Sequence, residues 1–297
     1  MNTPIEIGGD TRKTGPVIRT IKSMDECMEF ARGFHGDAHF SDPMLSNEEQ
    51  FQTNLVQCVE HPDQHCALGV YLGERLIGLF TFLVLPKERY LEMLVGLSRD
   101  RRAYVEILCY LERHYPDYSA DFVFNPKNYL CKQLLEERNA EFEPEQQKMV
   151  LDVPVTDIDT DGVELYAPEY QEQYLSIHHQ ETYWTGEKVL AATDQFRVFL
   201  AIHEGKVVGY LDVTYCFEQN EPYDLFVLEK YRGMGYGRKL LAQALKCNGP
   251  KGMMAMVDVE AVVAIRLFES VGFQRAKQEN NITAHWTVPG REDREQL

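Results

Sequence analysis

Two stretches of the chain carry the same order of apolar and polar positions. Residues 69–85, GVYLGERLIGLFTFLVL, lie on residues 200–216, LAIHEGKVVGYLDVTYC, at an offset of 131. In each, an apolar run breaks at a short turn containing glycine and charge and then resumes, the pattern of a β-hairpin. At the same offset Gly78 falls on Gly209 and Phe142 on Phe273. The apolar run Met93–Leu97 falls on the run that ends at Leu228. A helical stripe around Ile107, Leu108 and Leu111 falls on one carrying Leu240, Leu241, Ala244 and Leu245. A repeated order of elements predicts two α/β domains of one kind, 1–152 and 163–297. Between them Asp152–Gly162 is acidic, contains proline and lacks periodicity, as a linker does.

The second copy contains a stretch with chemistry of its own. Asp224–Leu245, DLFVLEKYRGMGYGRKLLAQAL, reads as strand, glycine loop and helix, with Gly233, Gly235 and Gly237 in the loop. The first amides of a helix have no partner within it, and the helix dipole adds partial positive charge there. Glycines let the backbone approach an anion closely. Lys230, Arg232, Arg238 and Lys239 surround this point in an otherwise acidic chain. The expected ligand is a diphosphate. GxxxxGK[ST] is absent, which excludes a P-loop, and GMGYGRK does not supply the GxGxxG of a dinucleotide site.

The spacing present is Arg232-x-x-Gly235-x-Gly237. It resembles the acyl-CoA loop of the GNAT superfamily of N-acetyltransferases. Two further segments resemble the same family in the same order. Phe199–Val213 is similar to the hairpin before that loop, and AxxLFxxxGF, ending at Gly272-Phe273, is similar to the family's last helix. The resemblance implies tandem GNAT-like domains, each a mixed, mostly antiparallel sheet flanked by helices. It implies acetyl-CoA as co-substrate, held by Val227, Leu228, Arg232, Gly233, Met234, Gly235, Tyr236, Gly237, Arg238 and Phe268, with the amides around Val227 and Leu228 facing the oxyanion. In the first copy Arg101 falls on Arg232, but Tyr104 falls on Gly235 and Glu106 on Gly237, and no glycine occurs from 97 to 150. That half is expected to bind no acyl-CoA and to serve as a wall and edge cover.

Acyl transfer to an amine needs a base, because an alkylammonium is charged at neutral pH. The strand before the loop offers Glu221, Tyr223 and Asp224. Strict alternation puts Glu221 and Tyr223 on one face and Asp224 on the other, unless a bulge intervenes. By resemblance, Tyr183 and Trp184, after the first helix of the second copy, border the acceptor, where aromatic faces attract a cation. The sequence departs from the family at two places. Phe268 stands where a tyrosine often protonates the sulfur, and Ala261 where an asparagine is common. Either the thiolate leaves unaided, or another hydroxyl such as Tyr223 or Tyr231 substitutes, or the domain binds CoA without transferring. His178 and His179 are adjacent on a predicted helix that runs to Glu181, so they are expected to diverge and not to act together.

Composition narrows the partners. The 297 residues carry a formal net charge of −17. That disfavours nucleic acid and anionic membranes, which need basic patches. It suits a small cationic amine as acceptor. The seven cysteines are scattered without a CxxC, which reads as reduced cytoplasmic thiols and no zinc site. The N-terminal stretch lacks an apolar leader, and the longest apolar run, Leu76–Leu85, is too short to span a bilayer.

Overall fold

In chain order the first half supplies strands β1 (Val17–Thr20), β2 (His65–Leu72), β3 (Arg75–Leu85), β4 (Tyr90–Leu97), β5 (Ser119–Phe124) and β6 (Glu141–Phe142). Its helices are α1 (Met28–Arg32), α2 (Gln57–Glu60), α3 (Arg101–His114) and α4 (Tyr129–Glu136). The second half supplies β7 (Gln146–Leu151), β8 (Val163–Leu165), β9 (Phe196–His203), β10 (Lys206–Thr214), β11 (Gln219–Asn220), β12 (Pro222–Val227), β13 (Gly252–Asp258), β14 (Phe273–Arg275) and β15 (Ile282–Thr287). Its helices are α5 (Gln171–Ile177), α6 (Gly186–Ala191), α7 (Tyr236–Asn248) and α8 (Val262–Glu269). The computed structural model describes residues 15–40, 52–62, 64–151, 155–180, 182–249 and 251–290. The N-terminal stretch 1–14, Glu181 and residues 152–154 of the expected linker lie outside the described residues. No described helix is long and apolar enough to cross a membrane.

Both hairpins form where the sequence places them. In the second, Glu204 and Gly205 have φ of 49° and 75°, the two positive values that a two-residue turn matched to strand twist requires. The sheets are mixed and mainly antiparallel, ordered β1-β2-β3-β4-β5-β15-β6, β12-β10-β9-β8 and β11-β13-β7-β14. Apolar faces of β2–β5 bury against α3 and α4 around Phe80, Phe122 and Leu108. Those of β9, β10 and β13 bury against α7 and α8 around Phe199, Leu240 and Phe273.

The boundaries differ from the expected 1–152 and 163–297. The chain divides between Glu143 and Pro144 and again between Asn281 and Ile282. The reason is an exchange of strands. β7, from the end of the first repeat, fills the slot between β13 and β14, with Met149 opposite Ala255 and Leu151 opposite Phe273. β15, at the end of the second, fills the slot between β5 and β6, with Trp286 opposite Ala120 and Ala284 opposite Phe142. Residues 155–162 are irregular, as expected, yet they are not a free spacer. Lys246 of α7 reaches Thr160 Oγ1 at 3.1 Å and the Ile158 carbonyl, and Lys239 is tied to Asp159.

Because Trp286 is 3% exposed and packs beside Phe122, Trp286→Ala is expected to destabilise the first unit by about 3–5 kcal/mol. Amide hydrogen exchange reads this directly: protection in β5 should fall while β9 and β10 keep theirs.

Candidate active site

The two sheets of the second unit part between β12 and β13. β12 is the edge of one sheet. β13 pairs with β11 only over Gly252–Met253, and beyond that it has β7 on one side alone. Antiparallel pairing alternates which residues bond across the ladder. Leu228 N–H donates to the Val208 carbonyl at 2.9 Å. With Gly209 opposite Val227, the Val227 N–H therefore points away from β10 into the opening. Of the two amides expected to face an oxyanion, that of Val227 points into the opening and that of Leu228 is committed to the sheet.

The glycine loop, Leu228–Gly235, connects this opening to α7. Gly233 and Gly235 have φ of 77° and 87°, values that other residues rarely adopt. No side chain caps the helix at Gly235, and Lys239 N–H is the first to find a carbonyl, that of Gly235. The amides of Tyr236, Gly237 and Arg238 lack helical partners. A Cβ on Gly237 would lie 3.1 Å from Leu267, so this glycine also lets α7 approach α8. The basic residues are less free than their number implies. Arg232 Nε donates to the Val227 carbonyl at 3.0 Å, Arg238 reaches the Ser270 carbonyl, and Lys239 is held by Asp159. What the loop leaves open is backbone amides more than side-chain charge.

The first unit shows the same junction closed. β4 ends at Leu97 and α3 begins at Arg101, so residues 98–100 stand where the second unit has 228–235. The offset of 131 that holds for the hairpins becomes 135 at the helix, and Tyr104 does not replace Gly235. The glycine loop is missing altogether. Asp100 caps α3, its Oδ1 accepting Arg102 N–H at 3.0 Å. The Tyr104 hydroxyl lies inside, donating to the Gly96 carbonyl and receiving Asn128 Nδ2 at 2.7 Å.

A β-bulge decides where the acids of β12 point. Asp212 faces Asp224 and Val213 faces Pro222, leaving Tyr223 as the extra residue. Consequently Tyr223 and Asp224 share the α5 face, contrary to strict alternation. The Tyr223 ring lies 6.0 Å from Phe196. Glu221 goes the other way, and its carboxylate accepts the Met256 N–H of β13 across the opening. Burial raises its carboxyl to about 7, the backbone donor opposing the rise.

Asp224 enters a network absent from the expectation. Helix α5 stops at Ile177 rather than at Glu181, because His178 turns to extended backbone with φ −73° and ψ 141°. Both histidines then reach the paired aspartates. His178 Nε2 is 2.8 Å from Asp212 Oδ2, and its Nδ1 is 2.7 Å from the His179 carbonyl. The Tyr174 hydroxyl donates to both Asp212 oxygens, at 2.9 and 3.0 Å. Tyr210 donates to Asp224 Oδ2 at 2.7 Å, and its oxygen receives His179 N–H at 3.2 Å. His179 Nδ1 is 3.1 Å from Asp224 Oδ2.

These contacts count protons. A carbonyl only accepts, so His178 Nδ1 carries a hydrogen. Asp212 can accept from Nε2 only if a second hydrogen lies between them. Burial pulls the imidazolium of His178 down, but the hydrogen bond to Asp212, the His179 carbonyl and the charges of Asp212 and Asp224 outweigh it, and the net shift is upward. Burial likewise raises Asp212, against its bonds to His178 and Tyr174. Single atoms of His178, Asp212 and Asp224 lie within 4.8 Å of one another, close enough to share a metal ion. Protons account for their contacts.

Trp184 packs on the core, 4.9 Å from Phe196, while Tyr183 is 64% exposed with Lys188 Nζ 4.1 Å from its ring. The cation nearest Tyr183 is therefore the chain's own. Phe268 is buried against Phe273 at 5.1 Å, and Ala261 caps α8 without a side-chain bond. Asp212, Tyr174 and Tyr210 escaped the sequence reading, and His178 and His179, expected to diverge, instead converge on the paired aspartates. One signal was present: Asp212 interrupts the apolar run of β10 without a turn residue beside it.

Residues 194–275 match the family model of the acetyltransferase (GNAT) domain. The chain carries a GNAT domain. Solved structures extend the likeness over both units. A GCN5-related N-acetyltransferase of Sphaerobacter thermophilus aligns with TM-score 0.53 and 13% identity, over 75% of this chain and 81% of that one. A GNAT-family acetyltransferase of Colwellia psychrerythraea aligns with TM-score 0.51 and 13% identity, over 91% and 99%. A tandem GNAT protein of the clavulanic acid biosynthesis pathway aligns with TM-score 0.50 and 13% identity, over 75% and 83%. At such identity the likeness is one of fold. No curated protein matches the sequence.

Asp212→Asn leaves a buried imidazole without its counter-charge, and breaking such a pair costs about 3–5 kcal/mol. His178 has its pKa raised on folding, so the contribution is full below its unfolded value and fades as pH rises through the folded one. Urea unfolding should show a larger loss for Asp212→Asn near pH 6 than near pH 9. Equal losses at both would mean His178 is neutral in the fold.

Proposed function

We propose that the chain is an acyl-CoA-dependent N-acyltransferase, with acetyl-CoA as donor and a small cationic amine as acceptor. One observation carries the reading. Unpartnered amides of Tyr236, Gly237 and Arg238, behind two positive-φ glycines, stand at the mouth of an opening into which Val227 N–H points. A diphosphate fits the first group, and the second suits an oxyanion. Acyl-CoA would supply the acyl group as a thioester. The amides of Gly233 and of 235–238 would hold its diphosphate, and Leu228 and Phe268 would contribute apolar walls.

The chain's own groups then handle protons. Glu221 lies in the opening with its carboxyl near 7, the range a general base needs at neutral pH. On the α5 face, Tyr223, Asp224, Tyr183 and Trp184 border the region offered to the acceptor. The carboxylate there, together with the chain's acidity, favours a cationic amine such as an alkylamine, an amino acid derivative or an aminosugar. A second reading, CoA binding without transfer, is favoured by Phe268, which has no proton to give.

Calorimetry tests the shared premise. Acetyl-CoA is expected to bind the wild type, while pantetheine without phosphate is not. Gly235→Glu should abolish binding, because it places a side chain at φ 87° and a negative charge among the amides. Absence of acetyl-CoA binding to the wild type sinks both readings.

Turnover separates them, and pH identifies the base. A carboxyl raised to about 7 is ionised above that pH, so kcat/KM should rise through pH ~7 and level off. Glu221→Gln should lower it by about 10²-fold or more and remove that limb. Binding of acetyl-CoA with no turnover of any amine would leave the second reading.

A further inference from the structure

The acceptor nitrogen sheds two protons on the way from ammonium to amide, and Glu221 is one carboxylate. The geometry points to His179 as a second proton acceptor, a catalytic residue on the acceptor side oriented by Asp224. This inference rests on the acyltransferase reading and adds to it.

The tautomer of His179 is set by its neighbours. Asp224 accepts at Nδ1, at 3.1 Å from Oδ2 and 3.3 Å from Oδ1. The proton is therefore on Nδ1, and the lone pair is on Nε2. That nitrogen has no hydrogen-bond partner among the described residues, and the side chain is 48% exposed. The ring is fixed from three further directions. Its own backbone N–H binds Tyr210 Oη, whose hydrogen goes to Asp224. The ring stands edge-on to Phe226 at 5.0 Å. His178, stacked on Tyr210 at 4.8 Å and bonded through Nδ1 to the His179 carbonyl, pins the backbone. A carboxylate behind Nδ1–H and an open Nε2 in front is the arrangement that makes imidazole a directed base.

Among the described residues, two further titratable groups pack around the ring besides Asp224 and His178. Asp212 is fully buried and paired with His178 and Tyr174, and Tyr210 is pushed well above its usual range by burial and by the Asp224 hydrogen bond. Neither presents a lone pair to solvent. Asp224 itself is 11% exposed and already accepts from Tyr210 and His179, which makes it a positioning residue here and not the base.

The step balances. An N–H bond of the acceptor ammonium breaks, its proton joins Nε2, and the imidazolium returns it to solvent through its exposed edge. The freed nitrogen pair forms the amide C–N bond as the thioester C–S bond breaks. The nitrogen's second proton goes to the Glu221 carboxylate, which passes it to the departing sulfur. The sulfur keeps the electrons of the broken C–S bond and leaves as the thiol, so one proton in all reaches solvent.

The full-length protein tests this with acetyl-CoA and a panel of primary alkylamines and aminosugars. His179→Ala is expected to keep acetyl-CoA binding, to lose about 10²-fold or more in kcat/KM, and to regain part of it with added imidazole. Glu221→Gln is expected to show no such rescue. Nitrogen-15 NMR of the imidazoles gives a readout apart from activity: the wild type should show His179 protonated at Nδ1, and Asp224→Asn should lose that preference while His178 stays bonded. A wild type that acylates amines beside an equally active His179→Ala overturns this inference alone. So does a hydrogen found on Nε2 and absent from Nδ1. A wild type that binds acetyl-CoA and acylates nothing overturns the acyltransferase reading and this inference with it.

Discussion

The second unit is organised by a pairing that stops. After Met253, β13 has no ladder partner among the described residues on the side facing β12. Unpaired backbone groups at a strand edge are costly when buried, so the opening must be filled or wet. Here its polar groups are placed one by one: Met256 N–H donates to Glu221, Val227 C=O accepts from Arg232 Nε, and Val227 N–H is left. The same parting frees the end of β12 to rise into the glycine loop and present α7 by its N-terminus. The glycine loop's open amides, the inward Val227 N–H and the Glu221 carboxylate all follow from one interrupted ladder.

On the opposite face of β10 and β12 the constraint is charge. Two carboxylates sit directly across a ladder, one fully buried. Buried charge is tolerated only when paired and hydrogen-bonded. The chain meets this with Tyr174, Tyr210 and two histidines, all close to the sheet face that α5 covers. A buried pair of this kind contributes little net stability over an apolar replacement; what its hydrogen bonds do fix is the backbone and ring of the half-exposed His179.

The parts of this arrangement carried by short-range pattern were legible in the sequence. Hairpins, the glycine loop and the closing helix each occupy a contiguous stretch with fixed spacing, and the tandem mixed sheets follow from their repetition. What escaped depends on contacts between distant residues. The bulge at Tyr223 exists only relative to Asp212, 11 positions away, and it moves Tyr223 onto the face of Asp224. The histidines looked divergent because adjacent residues on a helix diverge. They converge because the helix ends before them, and it ends there because Asp212 and Asp224 lie within reach. Strand exchange is invisible for the same reason, since β7 and β15 satisfy their slots equally well by alternation in either unit.

The two units differ in what their strand-to-helix junctions leave open. Both have a strand that parts from its neighbour, with β4 and β5 paired only over Tyr90–Met93, and both have a helix beginning at the break. They differ in the connection. With residues 98–100 alone, the first unit has no length for positive-φ turns, and Asp100 lands at the cap, where its carboxylate takes the amide an anion would use. With residues 228–235, the chain turns twice through left-handed glycines and reaches α7 with nothing at the cap. Helix dipole and sheet are common to both, so neither distinguishes the two junctions. The deciding quantity is the number of amides the connection leaves unsatisfied, and loop length sets it.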